Sequence, residues 1–506
     1  MNQTSTQQIT LIVLDGWGMR DVREHNALAE ARTPFFDSLW EQYPHTTLDA
    51  SSLAVGLPQG QMGNSEIGHM TIGAGTIIDT DLVRISKAIR ENKLLENPAL
   101  DTLFKHIQTH DSTLHLMGLM SPGGVHSHSD HLIGLLEAAK AVGIQKVAIH
   151  AFTDGRDTPP QSAGTYLKEL EDALASIGIG YIATASGRFY AMDRDNNWDR
   201  LSKVEAALFT CTGTICQAKR PSAMLTEFYQ NGVLDEHLEP LVFLDESGKS
   251  YAIEPHDGVL FFNFRADRAR MLAHKIAEHA KKDDLCFVTL AKYDDTLEAL
   301  VAFPQQGIET TLAAEIARAG LLQAHIAETE KYAHATYFLN GGREQPHDGE
   351  EHVLIESRKD IKTHDQAPQM RAREITDAAL EKLEQGVDFI FINYANADMV
   401  GHTANKPAII EAAEEIDTQL ARLVPCILEH GGIVCITADH GNAETNIDTE
   451  TGERHTAHTA NLVPLIITKP GIALKDGGTL ADVAPTILRL LTIKKPTSMT
   501  GQNLIV

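Results

Sequence analysis

Cysteine is scarce in this chain of 506 residues: Cys211, Cys216, Cys286, Cys426 and Cys435 make an odd count with no C-x-x-C pair. That argues against a disulfide framework and against a thiolate-held metal, and fits a reducing compartment in which thiols serve as small apolar side chains. Basic charge is short as well. Forty-three Lys and Arg face 69 Asp and Glu, giving a formal net charge of −26. A nucleic-acid binder needs a clustered basic face for phosphates, so that class is excluded, and docking on an anionic membrane is disfavoured with it. No run approaches the roughly 20 apolar residues of a spanning helix. The opening MNQTSTQQIT lacks the basic and apolar regions of a signal peptide. The expected location is the cytoplasm. Internal repeats and low-complexity segments are missing too.

What is present is a large α/β pattern. At about 150 residues per domain the length predicts two to three domains, and 43% apolar residues suffice for real cores. Short, uniformly apolar runs recur: ITLIVLDG at 9–16, TLHLMG, KVAIHAF, GYIATASG, GVLFFNFRAD, LCFVTLAKY, FIFINYANAD, GIVCITADH and VPLIITK. Such runs are expected of central strands covered on both faces, with crossover helices between them. One helix is predicted over Ile409–Leu428, with Ile409, Ile410, Ala413, Ile416, Leu420 and Leu423 on one stripe and Pro425 kinking or ending it. Polar residues follow the strands, at Asp15, Asp154, Asp157, Arg188, Arg265, Asp398 and Asp439, where open α/β sheets bind ligands. The Gly-rich stretch at 72–76 and FPQQG at 303–307 read as crossings between domains.

The richest constellation joins Asp15 in VLDGWG, Ser65 in GNSEIGH, Asp398 and His402 in NADMVGH, and Asp439, His440 and His458 in TADHGNAE and HTAHT. Carboxylates and imidazoles are the ligands of Mn or Zn sites. In a helix, Asp398 and His402 share a face, and Asp439–His440 at a strand end can splay towards two ions. Three carboxylates and a Ser65 alkoxide carry four negative charges, which two divalent cations balance and one does not. Metal coordination is also what a weak serine nucleophile needs. Taken singly, each residue has an ordinary reading: Asp15 as a helix cap, Ser65 as an N-cap before Glu66.

A second constellation is basic: Arg156 in FTDGRDTPP, Arg188 and Arg194 in GRFYAMDRD, and Arg265 and Arg268 in NFRADRAR. Guanidinium forks match carboxylate and phosphate oxygens, so such a cluster in an acidic protein points to a small polyanionic substrate, although any one arginine alone reads as a surface ion pair. GGVHSHSDH at 123–131 offers His126 as an anion donor, with a metal cluster of its histidines as the lesser alternative.

Together the motifs LDGWG, QMGNSEIGH, GGVHSH, TDGRDTPP, GRFYAMDRD, NFRADRAR, ETEKYAH, NADMVGH and TADHGNAE closely resemble those of the cofactor-independent phosphoglycerate mutases, within the alkaline phosphatase superfamily. The resemblance implies an alkaline-phosphatase-like, metal-binding domain of residues 1–76 and 311–506, with an inserted α/β phosphotransferase domain of residues 77–310. It implies two Mn ions, with Zn or Co as substitutes, and no need for 2,3-bisphosphoglycerate. One ion would be held by Asp398, His402 and His458, the other by Asp15, Ser65, Asp439 and His440. His126, Arg156, Asp157, Arg188, Arg194, Arg265, Arg268 and Lys331 would bind phosphoglycerate, with Ser65, Asp157 and Lys331 catalytic and the chain a monomer. The alternative is a metal-dependent phosphatase or another phosphomutase on the same core. Two positions depart from the family pattern: Pro122 in SPGG, where SDGG is usual, and Thr76 in GAGT, where GAGR is commoner.

Overall fold

A computed structural model describes residues 7–217, 220–245 and 247–506. The chain forms two compact units, one running to Thr80 and resuming over Gly307–Val506, the other Asp81–Gln306. Each is built on an eight-stranded sheet.

In the first unit the strands lie in the order Glu350–Ile355, Gln323–Glu328, Phe389–Tyr394, Ile9–Leu14, Ile433–Thr437, Val463–Ile467, His45–Asp49 and Gly478–Thr479. The first five run parallel, and Val463–Ile467 is antiparallel to both neighbours. Ile9–Leu14 and Phe389–Tyr394 are buried along their whole length. Their uniform apolarity follows, since each fully buried aliphatic side chain contributes roughly 1.5–3 kcal/mol. The two strands end in register, Leu14 opposite Tyr394, so that Asp15 and the Asn396–Gly401 helix bearing Asp398 emerge side by side.

In the second unit the order is Leu300–Phe303, Cys286–Ala291, Gly258–Phe261, Leu114–Leu119, Val147–Thr153, Tyr181–Gly187, Leu241–Phe243 and Thr214–Cys216. The first six run parallel, and Leu241–Phe243 pairs antiparallel with Tyr181–Gly187 and parallel with Thr214–Cys216, so the last two strands run opposite to the rest. All nine apolar runs read from the sequence form strands. Among the described residues no helix is long and apolar enough to cross a membrane.

Two local expectations change. The helix carrying the Ile409 stripe spans Lys406–Glu429 and continues through Pro425, which falls in its last turns, where one lost backbone bond does not stop it. The Gly-rich stretch at 72–76 is not where the units divide. It ends the Ser65–Ala74 helix, with Gly75 as a left-handed cap at φ 59°. A Cβ on Gly73 would stand 1.9 Å from the Leu339 carbonyl oxygen, so glycine is needed there for close packing.

Gly73→Ala is therefore expected to lower stability by about 1–3 kcal/mol, the usual cost of overpacking. Urea unfolding of the full chain checks this, and an unchanged midpoint would show that the helix end has room to shift.

Candidate active site

Ser65 is the first residue of the Ser65–Ala74 helix, and its ordinary reading as an N-cap does not hold: Asn64 takes that role, its side chain accepting from the Ile67 N–H. Relieved of capping, the Ser65 hydroxyl faces a buried polar cluster. Its Oγ lies 2.7 Å from Lys331 Nζ, 2.9 Å from His440 Nε2 and 3.3 Å from Asp15 Oδ1. The strand–turn junctions that supply these groups are glycine-rich because backbone must come close. Gly16, at φ 76°, would place a Cβ 2.6 Å from the Asp398 Cα, and a Cβ on Gly68 would meet the Asp439 carbonyl at 2.8 Å.

Two groups of donors result. Asp398 Oδ1 lies 3.2 Å from His402 Nε2 and 3.3 Å from His458 Nε2, and the two Nε2 atoms are 3.2 Å apart. The Nδ1 atoms of these histidines donate to the carbonyls of Thr456 and Gly63, each at 2.8 Å. With Nδ1 donating to a carbonyl, each ring that gives up its Nε2 proton turns a lone pair on one point beside a carboxylate, the arrangement of metal-ligating histidines with carbonyl partners behind them. In the second group Asp15, Asp439 and His440 are all buried and offer donor atoms within 4.8 Å of one another. His440 Nε2 is 3.5 Å from Asp439 Oδ2, an oxygen with no hydrogen-bond partner. The His440 and His458 rings stack at 3.8 Å, joining the groups.

The charge balance calls for cations. Asp15, Asp398 and Asp439 carry three negative charges, and Lys331 is the ammonium among them, 2.6 Å from both Asp15 Oδ1 and Asp398 Oδ2. Burial opposes a charge on Lys331, but the three carboxylates override it and hold its pKa well above the usual lysine range. Burial and the neighbouring Asp439 push the Asp15 carboxyl up, as expected where one ammonium must serve three carboxylates. Asp398, next to Lys331, is held low against its burial. The unpartnered oxygen, the converging lone pairs and the residual charge all fit divalent cations.

Supporting residues outside the expected set complete the cluster. Asn393 donates to Asp15 Oδ2 at 2.8 Å and Asn442 to Asp398 Oδ1 at 2.8 Å. His69 stands 3.3 Å from Asp439 Oδ2 and 2.8 Å from the Ser65 carbonyl. Glu444 accepts from the N–H groups of Gly18 and Asn442, tying two loops together. Each lies inside or beside a motif noted above, one helical turn or a few residues from a proposed ligand.

The second unit gathers the other constellation. Arg188, 2% exposed, begins a short helix after the Tyr181–Gly187 strand and donates at 2.6 Å to both Asp154 Oδ1 and Asp157 Oδ2. Asp154 is fixed by the Ser121 hydroxyl at 2.7 Å and by the N–H groups of Arg156 and Asp157. Ser121 thus makes a defined contact with Pro122 beside it. Asp267, unremarked in the sequence, lies 3.1 Å from Arg265, 3.2 Å from Arg194 and 3.5 Å from His126 Nδ1. Burial lowers the Arg268 pKa, and Arg194, Arg188 and Arg156 lower it further, the mark of cations crowded together. Burial and Arg188 bring His126 down to about 4, so it is a neutral donor. The alternative of a metal cluster in GGVHSHSDH is not borne out. His128 caps the Ser129–Ala141 helix, His131 pairs with Ser86, and among the described residues none of the three joins a three-donor group. Thr76, the other departure, bonds Thr500 at 2.6 Å.

Comparison with known proteins gives a consistent picture. Residues 7–495 match the Metalloenzyme superfamily. The chain is 47% identical to the 2,3-bisphosphoglycerate-independent phosphoglycerate mutase of Chloroflexus aggregans over 99% of both chains. It is 48% identical to the protein of the same name from Moorella thermoacetica over 98% of both. Among solved structures, Leishmania mexicana phosphoglycerate mutase at low cobalt concentration aligns with a TM-score of 0.55 and 28% identity, over 100% of this chain and 99% of that one.

One buried acid behind the cluster yields a pH dependence. Glu328, three residues before Lys331, is 1% exposed; Ser357 donates to Oε2, and Oε1 has no partner. Burial pushes its pKa up to about 7. The folded state therefore holds a proton that the unfolded chain releases near pH 4.5, and stability falls as pH rises from there through 7. Glu328→Gln is expected to remove that slope and to stabilise the protein at pH 8 by up to about 3 kcal/mol. Thermal unfolding of both proteins between pH 5 and pH 8 reads it, and parallel profiles would contradict the assignment.

Proposed function

The chain belongs to the 2,3-bisphosphoglycerate-independent phosphoglycerate mutases, and from that footing we propose that it interconverts 3-phosphoglycerate and 2-phosphoglycerate through a phosphoserine at Ser65. Its α/β, alkaline-phosphatase-like fold serves a metal-dependent enzyme of that family. The observation that carries the reading is the Ser65 hydroxyl, buried against Lys331, His440 and Asp15.

Two Mn ions are proposed, one at Asp398, His402 and His458, the other at Asp15, Ser65, Asp439 and His440. When bound, divalent cations favour the serine alkoxide and offset charge on phosphoryl oxygens. The chain's own groups do the rest. Ser65 Oγ gives up its proton and attacks phosphorus in line, the P–O bond to the glycerate breaks as P–Oγ forms, and the departing oxygen takes a proton. Lys331, held charged, stabilises the negative charge at the reacting oxygens. Asp157 moves protons at the glycerate hydroxyls, and Arg188 sets its orientation. In the return step the glycerate presents its other hydroxyl, P–Oγ breaks, and Ser65 is restored. His126, Arg156, Arg188, Arg194, Arg265 and Arg268 retain the glycerate between the two transfers. That retention distinguishes a mutase from a phosphatase, which needs only to release its alcohol. The division of tasks supports a phosphatase-like role for the first unit and a phosphotransferase role for Asp81–Gln306. The five free cysteines support a cytoplasmic enzyme, and family resemblance supports a monomer.

Three outcomes follow. Ser65→Ala is expected to reduce mutase turnover by roughly a thousandfold or more while metal is still bound, since six other ligands remain; undiminished turnover would overturn the phosphoserine. Double labelling of phosphate and glycerate carbon is expected to show the original pair recombined. Arg265→Ala is expected to loosen the glycerate and to divert part of the turnover into hydrolysis, and scrambling in the wild-type enzyme would contradict retention.

Metal binding should weaken in acid. His402 is held above the ordinary imidazole range by its contact with Asp398, and for His458 the same carboxylate outweighs burial. Protons therefore compete for both Nε2 atoms from near neutrality downward. Titrating bound Mn from pH 8 to pH 5.5 is expected to show release in step with lost activity, and full activity after complete metal removal would refute the metal requirement.

A further inference from the structure

A second set of donors lies at the edge of the first unit's sheet. His325 and His352 are register partners on the adjacent parallel strands Gln323–Glu328 and Glu350–Ile355. Both therefore project to one face of the sheet, where Glu350 joins them, and the three offer donor atoms within 4.8 Å of one another. His352 Nε2 is 2.6 Å and His325 Nδ1 3.4 Å from Glu350 Oε1, and the side chains of His325 and Glu350 are wholly buried. Asn340 Nδ2 also donates to Oε1, at 2.6 Å, and the His347 N–H to Oε2 at 2.7 Å, so the carboxylate is fixed in place.

Three buried polar atoms here lack a partner. His325 Nδ1 donates to the Ala335 carbonyl at 2.9 Å, leaving Nε2 as a lone pair, and that Nε2 is buried without a partner. His347 Nε2 and Asn340 Oδ1 are likewise buried and unpartnered. Buried acceptors without donors are costly, and a ring nitrogen backed by a carbonyl is the posture of a metal ligand. The protonation states agree: burial brings His325 down to about 4, and against its burial the contact with His352 holds Glu350 down to about 2, so the imidazole is neutral and the carboxylate ionised at pH 7.

We propose that His325, Glu350 and His352 form a binding site for a divalent transition metal of the Zn type, separate from the cluster around Ser65. Two imidazoles and a carboxylate are a zinc ligand set, with water left for the fourth position. A metal there clips the edge strand Glu350–Ile355 to the strand that leads, three residues past its end, to Lys331. The exposed trio His110, His256 and Asp284 also clusters, but it lies on the other unit and has no buried unpartnered atom.

The proposal does not rest on the mutase reaction. The full chain, freed of metal and reloaded with Mn, is titrated with ZnCl2, and bound zinc per chain is measured after gel filtration for the wild type and His352→Gln. That variant keeps a donor for Glu350 and leaves both the Ser65 cluster and the exposed trio intact, so zinc taken up there cancels. The expected result is one zinc equivalent fewer in the variant. In the wild type alone, zinc is expected to slow amide hydrogen exchange across Glu350–Ile355. Equal zinc uptake by the two proteins, or unchanged exchange at that strand, would show a hydrogen-bond network only and overturn the site.

Discussion

Three carboxylates, Asp15, Asp398 and Asp439, are held out of water around one ammonium, Lys331. Each buried ion costs several kcal/mol unless paired, so everything near them is arranged to compensate. The histidines turn their Nε2 atoms inward, Asn393 and Asn442 donate to the carboxylates, and glycines at 16 and 68 let backbone approach where a Cβ would collide. The local instability of that cluster without cations is what makes it a receptor for them. In the proposed reaction it is the cations that would favour an alkoxide on Ser65, against the repulsion of the carboxylates.

The arginine cluster solves the opposite problem. Like charges crowd together, and carboxylates of the same unit hold them apart. Asp154 and Asp157 share the buried Arg188, while Asp267 stands among Arg194, Arg265 and His126. Such pairing costs the arginines little freedom, because the guanidinium fork is rigid. It leaves Arg156, Arg194 and Arg265 half exposed, with donors to spare for an anion.

How much of this was legible in the sequence depended on how conventional each residue's surroundings are. Central strands such as Ile9–Leu14 and Phe389–Tyr394 announce themselves because both faces are apolar, and the proposed ligands stand where those strands stop. Gln323–Glu328 does not announce itself: it buries Gln323, His325 and Glu328, each held by a partner distant in sequence, namely Ala313, Ala335 and Ser357. Yet that strand leads to Lys331 and carries His325. Asp267 was hidden for a related reason, since an acid between arginines in NFRADRAR reads as a surface pair until the fold brings Arg194 and His126 to it. The glycines at 72–76 misled because glycine marks close packing as readily as a hinge, and the Ser65 helix end needed the former.

The proposed mechanism requires phosphorus to bond covalently to one oxygen, Ser65 Oγ. Rapid mixing of the Mn-loaded enzyme with 3-phosphoglycerate, acid quenching within a single turnover and mapping of the phosphorylated peptide tests that most directly. The expected result is phosphate on Ser65 alone, appearing and disappearing at rates that accommodate the steady-state turnover. Phosphate on a histidine, or turnover with no phosphorylated protein at any time point, would contradict it.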